Sequence, residues 1–107
     1  MDESIFNRLA DETLERIEAA VEHCGVDLDF ELSPGGVLEI EFENGSKIIV
    51  NRHAIAREIW VAARSGGFHF RREGARWVDT RDQAELFEKL SQLASEHAGQ
   101  PVVLAER

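Results

Sequence analysis

Between Val26 and Val78 the apolar residues fall in short alternating runs, and one pair of runs is closed by a dipeptide that leaves little choice of geometry. Leu38, Ile40 and Phe42 alternate with Glu39, Glu41 and Glu43; Asn44-Gly45 follows; Ser46 to Asn51 then carries Ile48, Ile49 and Val50. Alternation puts one set of side chains on one face of a pleat. Asn-Gly is a strong hairpin signal, so these two strands are antiparallel. The pattern extends to both sides. Val26, Leu28, Phe30 and Leu32 alternate with Asp27, Asp29 and Glu31, ahead of a turn at Ser33-Pro34-Gly35-Gly36. Residues 52–56 form a connection. Glu58 to Arg64 fits helix or strand on pattern alone, and its place between the hairpin and Gly66-Gly67 selects strand. Phe68-His69-Phe70 and Arg76-Trp77-Val78 make two more, turned at Glu73-Gly74.

Two segments of helical period flank these strands. In residues 3–24, Phe6, Leu9, Ala10, Leu14, Ile17, Ala20, Val21 and Cys24 recur every three or four positions, with Asp2 or Ser4 to start and Gly25 to stop. From about Asp82 to His97, Leu86, Phe87, Leu90, Leu93 and Ala94 share a face. Thr80 with Gln83, or Asp82 with Glu85, offers a capping box, and Ala98-Gly99 an end. The apolar tail Pro101 to Leu104 gains by burial in the groove between the helices. Strands joined by short turns form an antiparallel sheet. The expected fold is α+β: a two-layer sandwich, both helices on one face of about six strands, the other face uncovered. At 107 residues the chain reads as a single domain, 1–107.

The charge is unevenly placed. The chain has 21 acids and 12 bases, a formal −9, and residues 1–31 hold ten of those acids against only Arg8 and Arg16. Asp11, Glu15, Glu18 and Glu22 are spaced by four, three and four, so they form one stripe on the first helix, roughly opposite its apolar face. Like charges at that spacing cost a helix roughly 0.2–0.5 kcal/mol per pair, and Glu22 adds a negative charge at the negative end of the helix dipole. Helix stability alone does not select such a stripe. Asp27, Asp29 and Glu31 follow on the next strand, so stripe and row join into one ridge if that strand lies at the sheet edge beside the helix. Carboxylates in this number suit hard cations such as Fe²⁺, Fe³⁺, Mn²⁺, Mg²⁺ and Ca²⁺, or a basic partner. An exposed row cannot converge on one ion as a pocket does, which implies weak, multi-site binding. Against this stands the ordinary reading of a charged stripe as a solvated face.

Other features exclude function classes. No apolar run approaches the ~20 residues of a membrane span, and Asp2-Glu3 is the wrong charge for a leader. Cys24 is the only cysteine, so no Cys-based zinc site or internal disulfide forms, and a reducing, cytoplasmic setting fits. The acidity argues against nucleic acid. No phosphate-binding glycine loop is present and no nucleophile stands with a recognisable base, so neither an enzyme nor an organic cofactor is expected. His53, His69 and His97 show no ligand spacing and are expected at surface or structural positions; His23 lies near the acids. Trp60 is a core residue on general grounds, but an uncovered sheet face makes it a candidate interface anchor.

The chain resembles the bacterial frataxin, or CyaY, family. The resemblance is carried by Gly35-Gly36-Val37-Leu38, Phe42-Glu43-Asn44-Gly45-Ser46-Lys47-Ile48-Ile49-Val50-Asn51, Ile59-Trp60-Val61-Ala62, Gly66-Gly67-Phe68-His69-Phe70, Trp77 and the N-terminal Phe6-Asn7-Arg8-Leu9-Ala10-Asp11. It spans residues 1–99 in order. It departs at Asn7, where relatives often have histidine, at Glu18-Ala19, where they often have tandem carboxylates, and at Arg52-His53-Ala54-Ile55, which replaces a usual Gln and Pro. The resemblance implies the sandwich derived above and an iron-binding regulator of iron–sulfur cluster assembly. Fe²⁺ or Fe³⁺ would be held weakly by Asp11, Glu15, Glu18, Glu22, Asp27, Asp29 and Glu31. Partners would be a cysteine desulfurase and its iron–sulfur scaffold protein, met through Glu15, Glu18 and Glu22 and through a sheet surface at Asn51, Trp60 and His69. A monomer is expected, with an iron-dependent oligomer open. Iron oxidation with storage, and a metal-independent acidic interaction module, are the alternatives.

Overall fold

Asp2 starts the first element. Its carboxylate accepts the backbone N–H of Ile5 at 2.9 Å and the Ser4 hydroxyl, which caps helix α1, Glu3–Glu22. The Ile5 contact holds the Asp2 carboxyl below the usual carboxylate range. The computed structural model describes residues 1–106; Arg107, the last residue of the expected 1–107 domain, lies outside the described residues. α1 stops slightly earlier than the period suggests: His23 leaves helical geometry at φ −104° and ψ 9°, and the Cys24 N–H turns to the Val21 carbonyl three residues back. Gly25, at φ +81°, then redirects the chain.

Six strands follow: β1 Asp29–Ser33, β2 Val37–Glu41, β3 Lys47–His53, β4 Glu58–Ala63, β5 Gly66–Glu73 and β6 Arg76–Asp79. They pair in sequence order, every neighbour antiparallel. Helix α2, Leu86–Ala98, closes the chain. Leu38, Ile40, Ile48, Val50, Ile59, Val61 and Phe70 are buried on one sheet face with Phe6, Leu14, Ile17, Leu86, Leu90 and Leu93 of the helices. The two-layer α+β sandwich is therefore observed, with both helices on one side. Segment 58–64, ambiguous by pattern, is a strand because Ile59 and Val61 fill this core while Trp60 and Ala62 point outward. No helix among the described residues is long and apolar enough to cross a membrane.

Several element bounds differ from the pattern. Residues 52 and 53, read as part of the 52–56 connection, continue β3 because they pair with Ile59 and Glu58. β5 starts at Gly66, ahead of Phe68, because Gly66 and Gly67 pair with Ala63 and Ala62. β1 begins at Asp29, not Val26, because Asp29 pairs with Glu41, the last residue of β2. Beyond it, Phe42 and Ser46 close the hairpin turn on each other, so residues 26–28 have no strand to join. α2 begins at Leu86, not Asp82. The carboxylates of Asp79 and Asp82 capture the N–H groups of Arg81 and Ala84 at 2.7 and 2.9 Å, a local competitor of helix. Glu85 instead is the cap, accepting from Phe87 and Glu88.

Buried polar groups fix the layers against each other. Trp77 donates its indole N–H to the Thr13 hydroxyl at 2.8 Å, and Thr13 donates in turn to Leu9 O. The tail is buried as expected: Val102 and Leu104 lie in the core and donate their N–H groups to the hydroxyls of Ser95 and Ser91 on α2. Glu106 reaches Arg16 of α1 at 3.1 Å.

Candidate functional site

β1 is an edge strand, paired only with β2, and it packs beside α1. The stripe of α1 lies roughly 130° around the helix from its apolar centre at ~100° per residue, on a flank rather than at the back. Glu18, at the boundary, is half-buried, while Asp11, Glu15 and Glu22 are exposed. Asp11 fixes which flank this is. Both its oxygens take the Arg52 Nη1 hydrogen atoms, at 2.6 and 2.7 Å, and the Arg52 stem lies over Gly36 in the β1–β2 turn. The stripe therefore faces the β1 side of the sheet.

The three remaining expected acids divide. Asp27 sits in the loop before β1, beside a cleft of about 510 Å³ lined also by Glu43, Phe42, Asn44 and His97. Asp29 and Glu31 point out of the uncovered sheet face, since their neighbours Phe30 and Leu32 pack on the core. There they meet more acid: Asp29 is opposite Glu41 and Glu31 opposite Glu39. Like charges directly opposite are destabilising. Among the described residues only Lys47 intervenes, at 2.9 Å from Glu39; that hydrogen bond, then the charges of Glu39 and Glu41, raise the Lys47 ammonium pKa. Glu39 and Glu41 belong to this surface, although the sequence presented them only as the outer row of a hairpin. Strand register was the missing signal. Among the described residues, no three Asp, Glu, His or Cys side chains converge in a metal-ligand arrangement. The acids form an extended field around the β1 edge, suited to several loosely held, water-completed cations.

The second expected surface is one row across the sheet. Asn51 pairs with Trp60, and Trp60 with His69. Trp60 is half-buried on the uncovered face, not in the core. His53 joins it, which sequence spacing did not reveal. The His53 and Trp60 rings stack at 3.9 Å and 14°, and those of Trp60 and His69 at 4.4 Å and 8°. Both faces of the indole are thus covered, and only its edge is presented. Glu58, which pairs across from His53, accepts the Trp60 N–H at 2.8 Å and lies 3.6 Å from His69 Nδ1. His53 Nδ1 accepts the Ala56 N–H, so the neutral ring carries its proton on Nε2.

His97 has a structural place. It is 2% exposed, its Nε2 accepts the Arg64 N–H, and its Nδ1 donates to Ser46 Oγ, which donates to Asn44 Oδ1. Asn44 Nδ2 returns to the His97 carbonyl. With both nitrogens engaged it offers no ligand to the neighbouring cleft. Burial, then the Arg64 charge, lower its pKa from 6.5.

Residues 1–100 match the family described as frataxin-like domain. The chain is 70% identical over 104 residues to the iron-sulfur cluster assembly protein CyaY of Dechloromonas aromatica, covering 97% of this chain and 99% of that one. It is 57% identical over 102 residues to the protein of the same name from Cupriavidus taiwanensis, covering 92% of each. The solved frataxin from Psychromonas ingrahamii superposes with a TM-score of 0.90 at 32% identity, over 99% of this chain and 100% of that one. Trimeric frataxin from the yeast Saccharomyces cerevisiae, complexed with ferrous, superposes at 0.72 with 24% identity, over 86% and 87%, and shares the fold.

Proposed function

This chain belongs to the frataxin-like, CyaY family of iron–sulfur cluster assembly proteins, and on that premise we propose that it is a non-enzymatic, cytoplasmic, iron-binding regulator of cluster assembly. Iron is its cargo. Fe²⁺ and Fe³⁺ are collected weakly on the field formed by Glu15, Glu18, Glu22, Asp27, Asp29 and Glu31, extended by Glu39 and Glu41, with Asp11 contributing charge at one end. The same acids meet a basic patch on the cysteine desulfurase. The Asn51, Trp60 and His69 row, thickened by His53, meets the desulfurase–scaffold complex. Metal and partner compete, because both need the same charges. The working unit is a monomer.

One observation carries this reading. Acids that oppose local stability are retained at every level of the edge: in the helix stripe, in the Asp29–Glu41 pair and in the Glu31–Glu39 pair. Asp11 and Glu39 have Arg52 and Lys47 beside them; for the others stability gives no reason, and binding of positive charge does. The decisive test is an Fe²⁺ titration followed by amide NMR, together with desulfurase turnover with and without this protein and iron. Broadening along residues 11–31 and an iron-dependent change in turnover are expected. Turnover changed without any amide response would leave a metal-independent interaction module. Stoichiometric Fe²⁺ oxidation surviving removal of the exposed acids would make it an oxidase.

A further inference from the structure

The carboxylates of the helix stripe are not equivalent. We infer that Arg52 is a built-in counterion that keeps divalent cations off Asp11 and so sets where the cation-collecting surface begins. The inference deepens the iron reading above and rests on it.

The geometry is specific to one residue pair. Arg52 occupies an inward register position near the end of β3, opposite Ile59. Its backbone N–H donates to Gly36 O at 3.0 Å. Its side chain then leaves the core over the β1–β2 turn, along a path open only because residue 36 is glycine. A Cβ there would sit 2.6 Å from Cγ, Cδ and Nε of Arg52, and the backbone at φ +80° already favours glycine. The stem is therefore held in a slot, and only 22% of the side chain is exposed. At the end of the slot one guanidinium nitrogen sits between both oxygens of Asp11.

This differs from an ordinary surface pair. Most exposed ion pairs gain little because two long side chains must be frozen. Here the slot has already ordered Arg52, and Asp11 is a short side chain on a helix. A divalent cation reaching Asp11 must displace a pre-placed charge, whereas at Glu15 or Glu22 it displaces only water. No other acid of the stripe has such a partner among the described residues: Arg16 goes to Glu106, and Arg8 makes no ion pair. The surface thus has a guarded end at Asp11 and an open end toward Glu22 and β1.

Mn²⁺, an oxygen-seeking divalent cation, tests this through paramagnetic broadening of amide signals. In the wild type, broadening should be strongest from Glu22 to Glu31 and weaken along α1 toward Arg8, in a gradient graded by the ~1.5 Å helical rise per residue. In Arg52→Gln it should spread to Arg8–Glu12, with Mn²⁺ affinity there up by roughly two- to fivefold, as loss of one ion pair allows. Arg52→Lys, which keeps the charge, should stay close to wild type. Adding Asp11→Asn to Arg52→Gln should cancel the gain, with far-UV circular dichroism confirming a folded chain throughout. Wild-type broadening at Asp11 equal to that at Glu22, or an unchanged pattern in Arg52→Gln, overturns the role of Arg52 while leaving the iron surface standing. Absence of broadening anywhere on residues 11–31 in every variant overturns both.

Discussion

The uncovered face of the sheet holds two surfaces built on opposite principles. On β1 and β2, acids stand directly across from acids, with Lys47 beside Glu39. On β3 to β5, the aromatic slab is tied by its own contacts: the Trp60 N–H goes to Glu58 and His53 Nδ1 receives the Ala56 N–H. The acidic edge is held against its own interest by the core beneath it. Under the function proposed above, the first is a surface for something external and positive, long in range and loose in geometry. The second is a rigid edge, about three rings thick, suited to contact at short range.

The largest expected effect separates them by charge. Replacing Glu15, Glu18 and Glu22 with lysine reverses the field. Desulfurase association should slow by more than about tenfold at low salt, and iron binding should fall with it. Thermal stability should hold or rise, since the replaced charges repel one another. Surface plasmon resonance and calorimetry check the two sides. Loss of folding would mean that the stripe is structural and would end the contrast.

Next comes the slab. Trp60→Arg removes the middle ring and places a cation between two imidazoles. Binding to the desulfurase–scaffold complex should drop by about thirtyfold, the scale of an aromatic anchor at ~2 kcal/mol. Fe²⁺ binding, read by calorimetry, should be unchanged. A folded Trp60→Arg protein that loses iron as well would show the two surfaces to be one.

Much of this was legible beforehand, for identifiable reasons. Period and turn chemistry fixed the layers, because Asn44-Gly45 and the alternation around it admit one geometry. The acids were visible as a charge imbalance. What escaped depends on side chains meeting across strands. Glu39 and Glu41 join the edge only through register. His53 and His69 are 16 positions apart in the sequence and meet only because Trp60 stands between them. Arg52 stands in a stretch that lacks the family's usual Gln and Pro, and only the fold brings it to Asp11. The start of α2 was misplaced because Asp79 and Asp82 can cap a helix or close a loop, and only the surrounding chain decides which.

A third region supports both surfaces and has a pH signature. His97 ties α2 to the Asn44–Ser46 turn and to Arg64 after β4. Its pKa is lowered from 6.5 on folding, mainly by burial, so below that value the unfolded chain binds the extra proton more readily. The contribution is complete above about pH 6.5 and is lost as pH falls toward the lowered value. Protonating Nε2 also removes the acceptor for the Arg64 N–H. The urea midpoint should therefore drop between pH 7.5 and 5.5, and His97→Gln should flatten that dependence. An equal drop in His97→Gln would place the proton elsewhere.

The smallest effect tests the contrast most directly, through its sign. Glu31→Thr removes one carboxylate from the Glu31–Glu39 pair and adds a β-branched residue to an edge strand. It should stabilise the fold by about 0.5 kcal/mol, within the range of ~0.2–1 for a cross-strand pair. For a domain of this size that raises Tm by about 2–4 °C. His53→Thr is the matched change on the slab. It exchanges a stacked ring for the same β-branched residue and should destabilise by a similar amount, since aromatic pairs are worth ~0.5–1.5 kcal/mol beyond burial. Opposite signs at two positions of one sheet face, Glu31 exposed and His53 half-buried, cannot come from strand propensity, which favours threonine at both. They would come from what each residue meets across the strand. If Glu31→Thr destabilises instead, the carboxylate has a favourable partner in solution, and the argument that the edge is kept for an external cation fails at that residue.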